Sequence, residues 1–376
     1  MSQLLISGLG SITKLIQILG EKKSKNLLLV TGKKSYYSSG AEYALEPLFN
    51  KFNVIRFHDF ELNPKFEDAL RGAIIARRNN IDTVISIGGG SVIDISKLIL
   101  AFIAPNQNQE DIVIGKDKPN DSKISHLSIP TTAGTGSEST NFAVVYLNNI
   151  KYSVSAHFLI PEIVILDGLL IKSNTPQQKA CSGLDALAQA IESHWAKASN
   201  KESRSYSRKA IPILYRELPN IVSGSANNIQ IQNFLLAANL AGKAINISKT
   251  TSPHAFSYPF SIKYGLPHGQ AVWLTLPKIF DVHNKTLEKN KLNINNLSEY
   301  RNSLKELKIL LDLSEFNLVK ELQEFVYSLG IQFSMQNIGA LTKEDRKEIS
   351  EKVNLERMMN NPVNLTAKDI NYIFDL

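Results

Sequence analysis

Residues 83–87, Thr-Val-Ile-Ser-Ile, run directly into Gly88-Gly89-Gly90-Ser91, and a helical pattern begins at once over 92–101. A strand that ends in bare glycines and passes into a helix restricts topology strongly. The helix carries the chain back along the sheet, so the strands on either side of such a unit run parallel. The same alternation surrounds it: 27–31 and 54–57 read as strands, and 66–79 has the period of a helix. The start, 1–19, is broken by Gly8 and Gly10 and lacks a basic leader, so it reads as a first strand and helix and not a signal peptide. Repeated strand–turn–helix units predict a parallel sheet with helices on both faces.

After Asp167 the strand pattern fades, and helical stretches follow at 177–198, 201–223, 229–247, 302–311 and 318–329. The predicted fold is therefore an α/β N-terminal domain, 1–170, followed by an all-α C-terminal domain, 171–376, with the boundary between Leu166 and Thr175. The polar segment 106–123 reads as a surface loop, and Asn/Lys-rich 284–296 as a mobile, solvated connection.

A chain of 376 residues suits two domains, and it has no apolar run of 18 residues that would cross a bilayer. Its single cysteine, Cys181, leaves no intrachain disulfide and fits a reducing cytoplasm. The formal charge of +7 invites a nucleic-acid reading. Basic and acidic residues interleave, however, as in 343–357, and no aromatic-basic stripe accompanies them. A solvated surface accounts for the charge, and a positive field around a small anionic substrate is compatible with it.

Gly88 to Ser91 has the context of a phosphate site, since bare glycines admit backbone N–H groups and a helix N-terminus attracts anions. Alone it is equally a tight turn without a ligand. A second segment, Pro130-Thr131-Thr132-Ala133-Gly134-Thr135-Gly136-Ser137-Glu138, favours the phosphate reading. It lacks the lysine of a Walker A loop, and neither segment is a GxGxxG fingerprint, so an ordinary Rossmann dehydrogenase is not indicated. Further along, Asp185 and Gln189 lie four apart on a predicted helix and share a face. With His254 and His268, two of only seven histidines, they make a four-donor set for a divalent metal.

The combination Gly88-Gly-Gly-Ser-Val-Ile-Asp94-Ile-Ser-Lys97, Pro130 to Glu138, Gly183-Leu-Asp-Ala-Leu187 and Gly265-Leu-Pro-His-Gly269 resembles, in the same order, the iron-containing (group III) alcohol dehydrogenases. The resemblance implies a dehydroquinate synthase-like nucleotide domain, a helical domain, an active site between them and a homodimer. It implies nucleotide contacts at Gly88, Gly89, Gly90, Ser91, Asp94, Thr131, Thr132, Gly136 and Ser137. It implies Fe(II) or Zn(II) on Asp185, His254 and His268, with Gln189 where the family usually has histidine. An amide is the weaker donor, so reduced affinity, a changed metal preference and a metal-free enzyme all stay open. Tyr258 occupies the position of a family histidine thought to relay the proton, and with His268 it is the catalytic candidate. His194 reads as structural, and His58, His126, His157 and His283 have no constellation around them.

Within the family, 246–258, 264–268 and Ala190-Ile-Glu-Ser-His-Trp195 are similar to the phosphonoacetaldehyde reductase branch, which makes 2-hydroxyethylphosphonate. The expected substrate anchors are Lys249, set among Ser248, Thr250 and Thr251, and Lys263. Where NAD-preferring members commonly carry an aspartate after the strand 27–31, this chain has Gly32-Lys33-Lys34, which favours NADPH over NADH. The competing expectations are a general alcohol or diol dehydrogenase, a lyase related to dehydroquinate synthase, and a nucleotide-binding protein that has lost turnover.

Overall fold

In this computed structural model the described residues are 3–148, 150–288, 297–314, 317–332 and 342–374. They form two compact units. One comprises Met1–Asn174 with Asn227–Asn239, and the other Thr175–Ala226 with Leu240–Leu376.

The first unit is built on β1 (Leu4–Ser7), β2 (Asn26–Thr31), β3 (Asn53–Phe57), β4 (Thr83–Gly88), β5 (Ser125–Pro130), β6 (Phe142–Leu147), β7 (Ile150–Ser155) and β8 (Ile163–Leu166). Six strands form one parallel sheet in the order β1-β8-β5-β4-β2-β3, while β6 and β7 pair antiparallel as a separate hairpin. Alternate residues of the central strands feed opposite cores. Leu28, Val30 and Val84 pack with Ala69, Ala73, Ile95 and Ile99 of the helices Phe66–Arg78 and Gly90–Ala101. Leu27, Leu29, Ile85, Ile87 and Ile129 pack with Leu15 and Leu19 on the other face. Burial on both faces explains why these strands read as continuous apolar runs.

The parallel α/β sheet expected from the sequence is present. The expected loop 106–123 contains one short helix, Gln109–Val113, started by the Asn108 side chain, which accepts from the Glu110 N–H at 3.1 Å. Segment Asn227–Asn239 joins this unit through Gln232, whose amide oxygen accepts from the Gly168 N–H at 2.7 Å and whose amide nitrogen donates to the Leu166 carbonyl at 2.9 Å.

The second unit is helical, with Pro176–Trp195, Lys201–Ser223, Ser252–Tyr264, His268–Trp273, Leu276–Glu288, Leu297–Leu310 and Leu318–Ser328 among its elements. Thr175 and Gln178 form a capping box at the start of Pro176–Trp195. Helix Ser252–Tyr264 is not evident from the sequence because it holds two prolines. Pro253 sits in the first turn, where a missing N–H costs nothing, and Pro259 lies inside the helix. Of the expected connection 284–296, residues 284–288 belong to a helix and 289–296 lie outside the described residues.

Candidate active site

In the first unit, β4 ends at Gly88 and the helix Gly90–Ala101 starts immediately, with no side chain capping it. A Cβ on Gly89 would lie 3.3 Å from the Thr132 side chain, and one on Gly90 would lie 2.7 Å from that of Thr135. The absence of side chains therefore lets the two glycine-rich segments pack together. Thr131 N–H donates to the Gly88 carbonyl at 3.0 Å, joining the ends of β4 and β5. Ligands of open α/β sheets bind outside such carboxyl ends of strands.

Asp94, Ser137 and the sequence-matched Lys97 form a brace beneath this surface. The Ser137 hydroxyl donates to Asp94, which also accepts the Val144 N–H at 3.1 Å. Lys97 is wholly buried, and its ammonium donates to Thr140 O at 2.8 Å and Phe142 O at 2.9 Å. Burial raises the Asp94 pKa, against the pull of Lys97 and its hydrogen bonds. Ser91 donates to the Leu62 carbonyl, and Gly136 takes a left-handed φ of 63°. Gly32 follows β2 and would place a Cβ against Ser35, while Lys33 is exposed and pairs with Asp59 at 3.2 Å.

In the second unit, Asp185, Gln189 and Glu192 project from one face of the buried helix Pro176–Trp195. His254 comes from Ser252–Tyr264, and His268 opens the helix after Pro267. Gly269 makes the approach of that last helix possible, because a Cβ there would sit 1.9 Å from the Cys181 carbonyl oxygen. Trp273 Nε1 fixes the contact by donating to the Leu184 carbonyl at 2.7 Å.

His254 Nε2 lies 3.3 Å and His268 Nε2 3.8 Å from Asp185 Oδ1, and one donor atom from each of the three residues falls within 4.8 Å of the others. Asp185 and His254 are buried, whereas the His268 side chain is 38% exposed. Gln189 hydrogen-bonds Asp185 from the next turn. Burial tends to raise the Asp185 pKa, but His268, His254 and Gln189 outweigh it and hold the carboxyl below its usual value.

Behind the triad lies Glu192, wholly buried. One of its oxygens accepts from His254 Nδ1, and the other accepts from the Thr251 N–H at 2.6 Å and hydroxyl at 2.9 Å. Trp195 Nε1 in turn donates to the Thr251 hydroxyl at 2.9 Å. Glu192 thereby fixes the imidazole so that Nε2 faces Asp185. Burial alone would discharge His254, yet Glu192 and then Asp185 overcome it and raise the pKa to about 9. A carboxylate and two imidazoles, one held by a second carboxylate, match the donor chemistry of a Zn(II) or Fe(II) site. The residues fit a metal.

Tyr258 stacks on His268, with ring centroids 6.0 Å apart and planes 7° apart, and its hydroxyl accepts from Arg357 Nε at 2.8 Å. Arg357 also donates to the Thr250 hydroxyl. Lys249, the residue before Thr250, is half-buried and has a left-handed φ of 59°. Lys263 is engaged elsewhere, since Asp345 and Glu348 both accept from its ammonium. His194 is buried between Ser207 and Glu306, at 2.9 and 3.0 Å, and burial lowers its pKa to about 4.

Residues 2–168 match the family model for iron-containing alcohol dehydrogenase, and 179–375 that for the C-terminal region of the Fe-containing alcohol dehydrogenase family. The chain belongs to the iron-containing alcohol dehydrogenases. Long-chain-alcohol dehydrogenase 1 of Geobacillus thermodenitrificans is 26% identical over 376 residues, 98% of this chain and 93% of its own. The NADPH-dependent butanol dehydrogenase of Clostridium saccharobutylicum is 28% identical over 294 residues, 77% of this chain and 74% of its own. The crystal structure of sulfoacetaldehyde reductase from Bifidobacterium kashiwanohense in complex with NAD+ aligns with a TM-score of 0.86 and 25% identity, over 99% of this chain and 96% of that one.

Family membership makes this protein an oxidoreductase of the alcohol/aldehyde type that uses a nicotinamide cofactor and a metal. No helix among the described residues is long and apolar enough to cross a membrane. Two residues that the sequence reading does not single out belong to the geometry of the second unit. Glu192 was visible in principle, because it lies seven residues after Asp185 and three after Gln189, on the same face. Arg357 carried no local signal, being brought to Tyr258 from 99 residues away.

Proposed function

We propose that this iron-containing alcohol dehydrogenase reduces phosphonoacetaldehyde to 2-hydroxyethylphosphonate with NADPH. The observation that carries this reading is that, within one unit, Tyr258 links the Asp185–His254–His268 triad to Arg357, which also bonds Thr250, the residue after Lys249. A metal triad alone suits any small aldehyde. Two adjacent positive groups beside it suit an aldehyde carrying an anion. The similarity to a sulfoacetaldehyde reductase supports an anionic two-carbon substrate.

A divalent metal held by Asp185, His254 and His268, with Gln189 as a neutral fourth position, supplies Lewis-acid polarisation of the carbonyl when bound. The protein's own groups do the rest. Glu192 holds the His254 tautomer. Half-exposed His268 marks the open side of the triad, where a carbonyl oxygen enters. Tyr258 accepts its hydrogen bond from Arg357, so its own O–H is the group that can protonate an alkoxide. In balance, the aldehyde takes a hydride from NADPH and one proton and becomes the primary alcohol.

The glycine-rich surface at Gly88 to Ser91 and Thr131 to Gly136 is the proposed nucleotide site. Lys33 and Lys34 favour the 2′-phosphate of NADPH. The exposed Lys33–Asp59 pair contributes at most about 1 kcal/mol and yields readily to a phosphate. A general alcohol dehydrogenase is the second reading, favoured by the long-chain-alcohol dehydrogenase relative that matches nearly the whole chain.

The test is NADPH consumption by metal-loaded protein with phosphonoacetaldehyde, acetaldehyde and lactaldehyde. The proposal expects kcat/KM to be highest for the phosphonate by at least about tenfold, the effect of one charge-assisted contact. Equal or better rates with the uncharged aldehydes would leave the general reading.

A further inference from the structure

Lys249 follows directly on the last turn of helix Asn228–Ser248, its N–H donating to the Ile245 carbonyl at 2.9 Å. Its φ of 59° is a conformation that glycine or asparagine takes readily and a lysine takes at a cost. The loop is pinned in that state from the distant helix Leu355–Asn360. Asn360 Nδ2 donates to the carbonyls of both Ser248, at 2.8 Å, and Thr250, at 2.9 Å. One turn earlier on the same helix, Arg357 reaches the Thr250 and Tyr258 hydroxyls. A short helix therefore holds the strained Lys249 backbone in place and sets an arginine on the adjacent Thr250.

Like charges on neighbouring elements repel, and a bound anion relieves that repulsion. Among the described residues no carboxylate lies within salt-bridge distance of Arg357, in contrast to Lys263, Arg204 and Arg208, each of which has one. Nε and one terminal nitrogen of Arg357 bond hydroxyls, so the guanidinium plane is fixed in direction while other N–H donors remain for a ligand. Lys249 immediately precedes the Thr250 that Arg357 bonds; burial, and then the Arg357 charge, hold its ammonium below the ordinary pKa, with Glu356 opposing them.

We infer that Lys249 and Arg357, with the Thr250 hydroxyl, form a subsite for the tetrahedral oxyanion of the aldehyde substrate, and that helix Leu355–Asn360 sets substrate class. The inference rests on the proposed aldehyde reduction and names the residues that would make it selective. Arg357 presents planar donors and Lys249 a point charge, a combination suited to a dianion. Because Arg357 also orients Tyr258, anion recognition and proton donation share one group. The subsite reads phosphonate and sulfonate by the same chemistry and prefers the more highly charged of the two.

Lys249→Gly is the discriminating variant, since glycine relieves the left-handed backbone and the fold should survive. Arg357→Gln is the second. Two readouts apply to the full-length, metal-loaded protein: calorimetric binding of methylphosphonate, and kcat/KM for phosphonoacetaldehyde, sulfoacetaldehyde and propionaldehyde. Loss of one charge-assisted contact predicts that Lys249→Gly weakens methylphosphonate binding by about 10- to 100-fold. The phosphonoacetaldehyde-to-propionaldehyde ratio falls by the same factor, chiefly through KM, and sulfoacetaldehyde falls less. Arg357→Gln lowers the ratio too and also lowers kcat. Folded variants that keep wild-type methylphosphonate affinity and substrate ratio overturn the subsite. A wild-type enzyme without phosphonate preference overturns the proposed substrate instead, and methylphosphonate binding lost in both variants would then still support the subsite.

Discussion

Replacing Glu192 by glutamine removes one charge and almost no volume, and the geometry dictates how the amide must sit. Glu192 now accepts from three donors, His254 Nδ1–H, Thr251 N–H and the Thr251 hydroxyl. A glutamine offers one oxygen and one NH2 in their place. If the oxygen turned toward His254, the Thr251 N–H would face another donor while buried, a cost of about 1–3 kcal/mol. The amide oxygen therefore stays on Thr251, and the NH2 donates to His254 Nδ1. That nitrogen must become an acceptor, so Nδ1 gives up its proton and the imidazole keeps one only on Nε2, the atom facing Asp185. A protonated Nε2 does not ligate a metal. Loss of such outer-shell control costs about 10- to 100-fold in affinity, or roughly 1.4–2.7 kcal/mol. Zn(II) competition against a chromophoric chelator gives the affinity, and long-range proton–nitrogen NMR of the histidines gives the tautomer. A folded variant that binds Zn(II) within about twofold of wild type, or that retains the Nδ1 proton on His254, would refute this account of Glu192.

Gly269→Ala places a methyl group 1.9 Å from the Cys181 backbone oxygen, which no side-chain movement relieves. It should destabilise by about 3 kcal/mol or more in urea unfolding and impair Zn(II) binding in whatever folds; an unperturbed variant would show that His268 does not depend on this close approach. His126 is buried against Ser86, and its pKa is lowered to about 3 by burial and then by Lys97. The unfolded imidazole titrates near 6.5, so its stability term is complete above that pH and is lost as pH falls toward 3. By pH 4.5 that amounts to about 2.7 kcal/mol, and the wild-type advantage over His126→Asn should shrink by this much between pH 7 and 4.5 in urea titrations; a constant gap would contradict it. Lys33→Asp should move the NADPH/NADH ratio of kcat/KM toward NADH by about tenfold or more, and an unmoved ratio would remove Lys33 from cofactor choice.

The sheet was legible because its strands are buried on both faces and stand out as β-branched runs, as 83–87 does before Gly88. The helices beyond Asp167 were legible for the complementary reason, a sustained helical period; 318–329 and Leu318–Ser328 differ by one residue. Ser252–Tyr264 was not, since Pro253 and Pro259 interrupt the local signal while burial of Phe256 and Phe260 holds the helix together. The donor set was partly legible. Asp185 and Gln189 share a face by periodicity alone, but only tertiary packing through Gly269 brings His268 near Asp185. The charges divided differently. Lys249 was set apart from Lys263 in sequence only by its hydroxyl neighbours; Lys263 proves to be bound by two carboxylates of the 343–351 helix, and Arg357 reaches Thr250 next to Lys249. Contacts across more than 80 residues leave no trace in local pattern.

Metal removal and restoration, followed by phosphonoacetaldehyde-dependent NADPH oxidation, tests the central claim most directly. Chelation of the wild-type enzyme should lower kcat/KM by roughly 1,000-fold, the equivalent of about 4 kcal/mol of carbonyl activation, and stoichiometric Zn(II) or Fe(II) should restore it. Asp185→Ala should stay inactive under the same reloading. Undiminished turnover by the chelated enzyme, or by Asp185→Ala, would contradict a reaction centred on Asp185, His254 and His268.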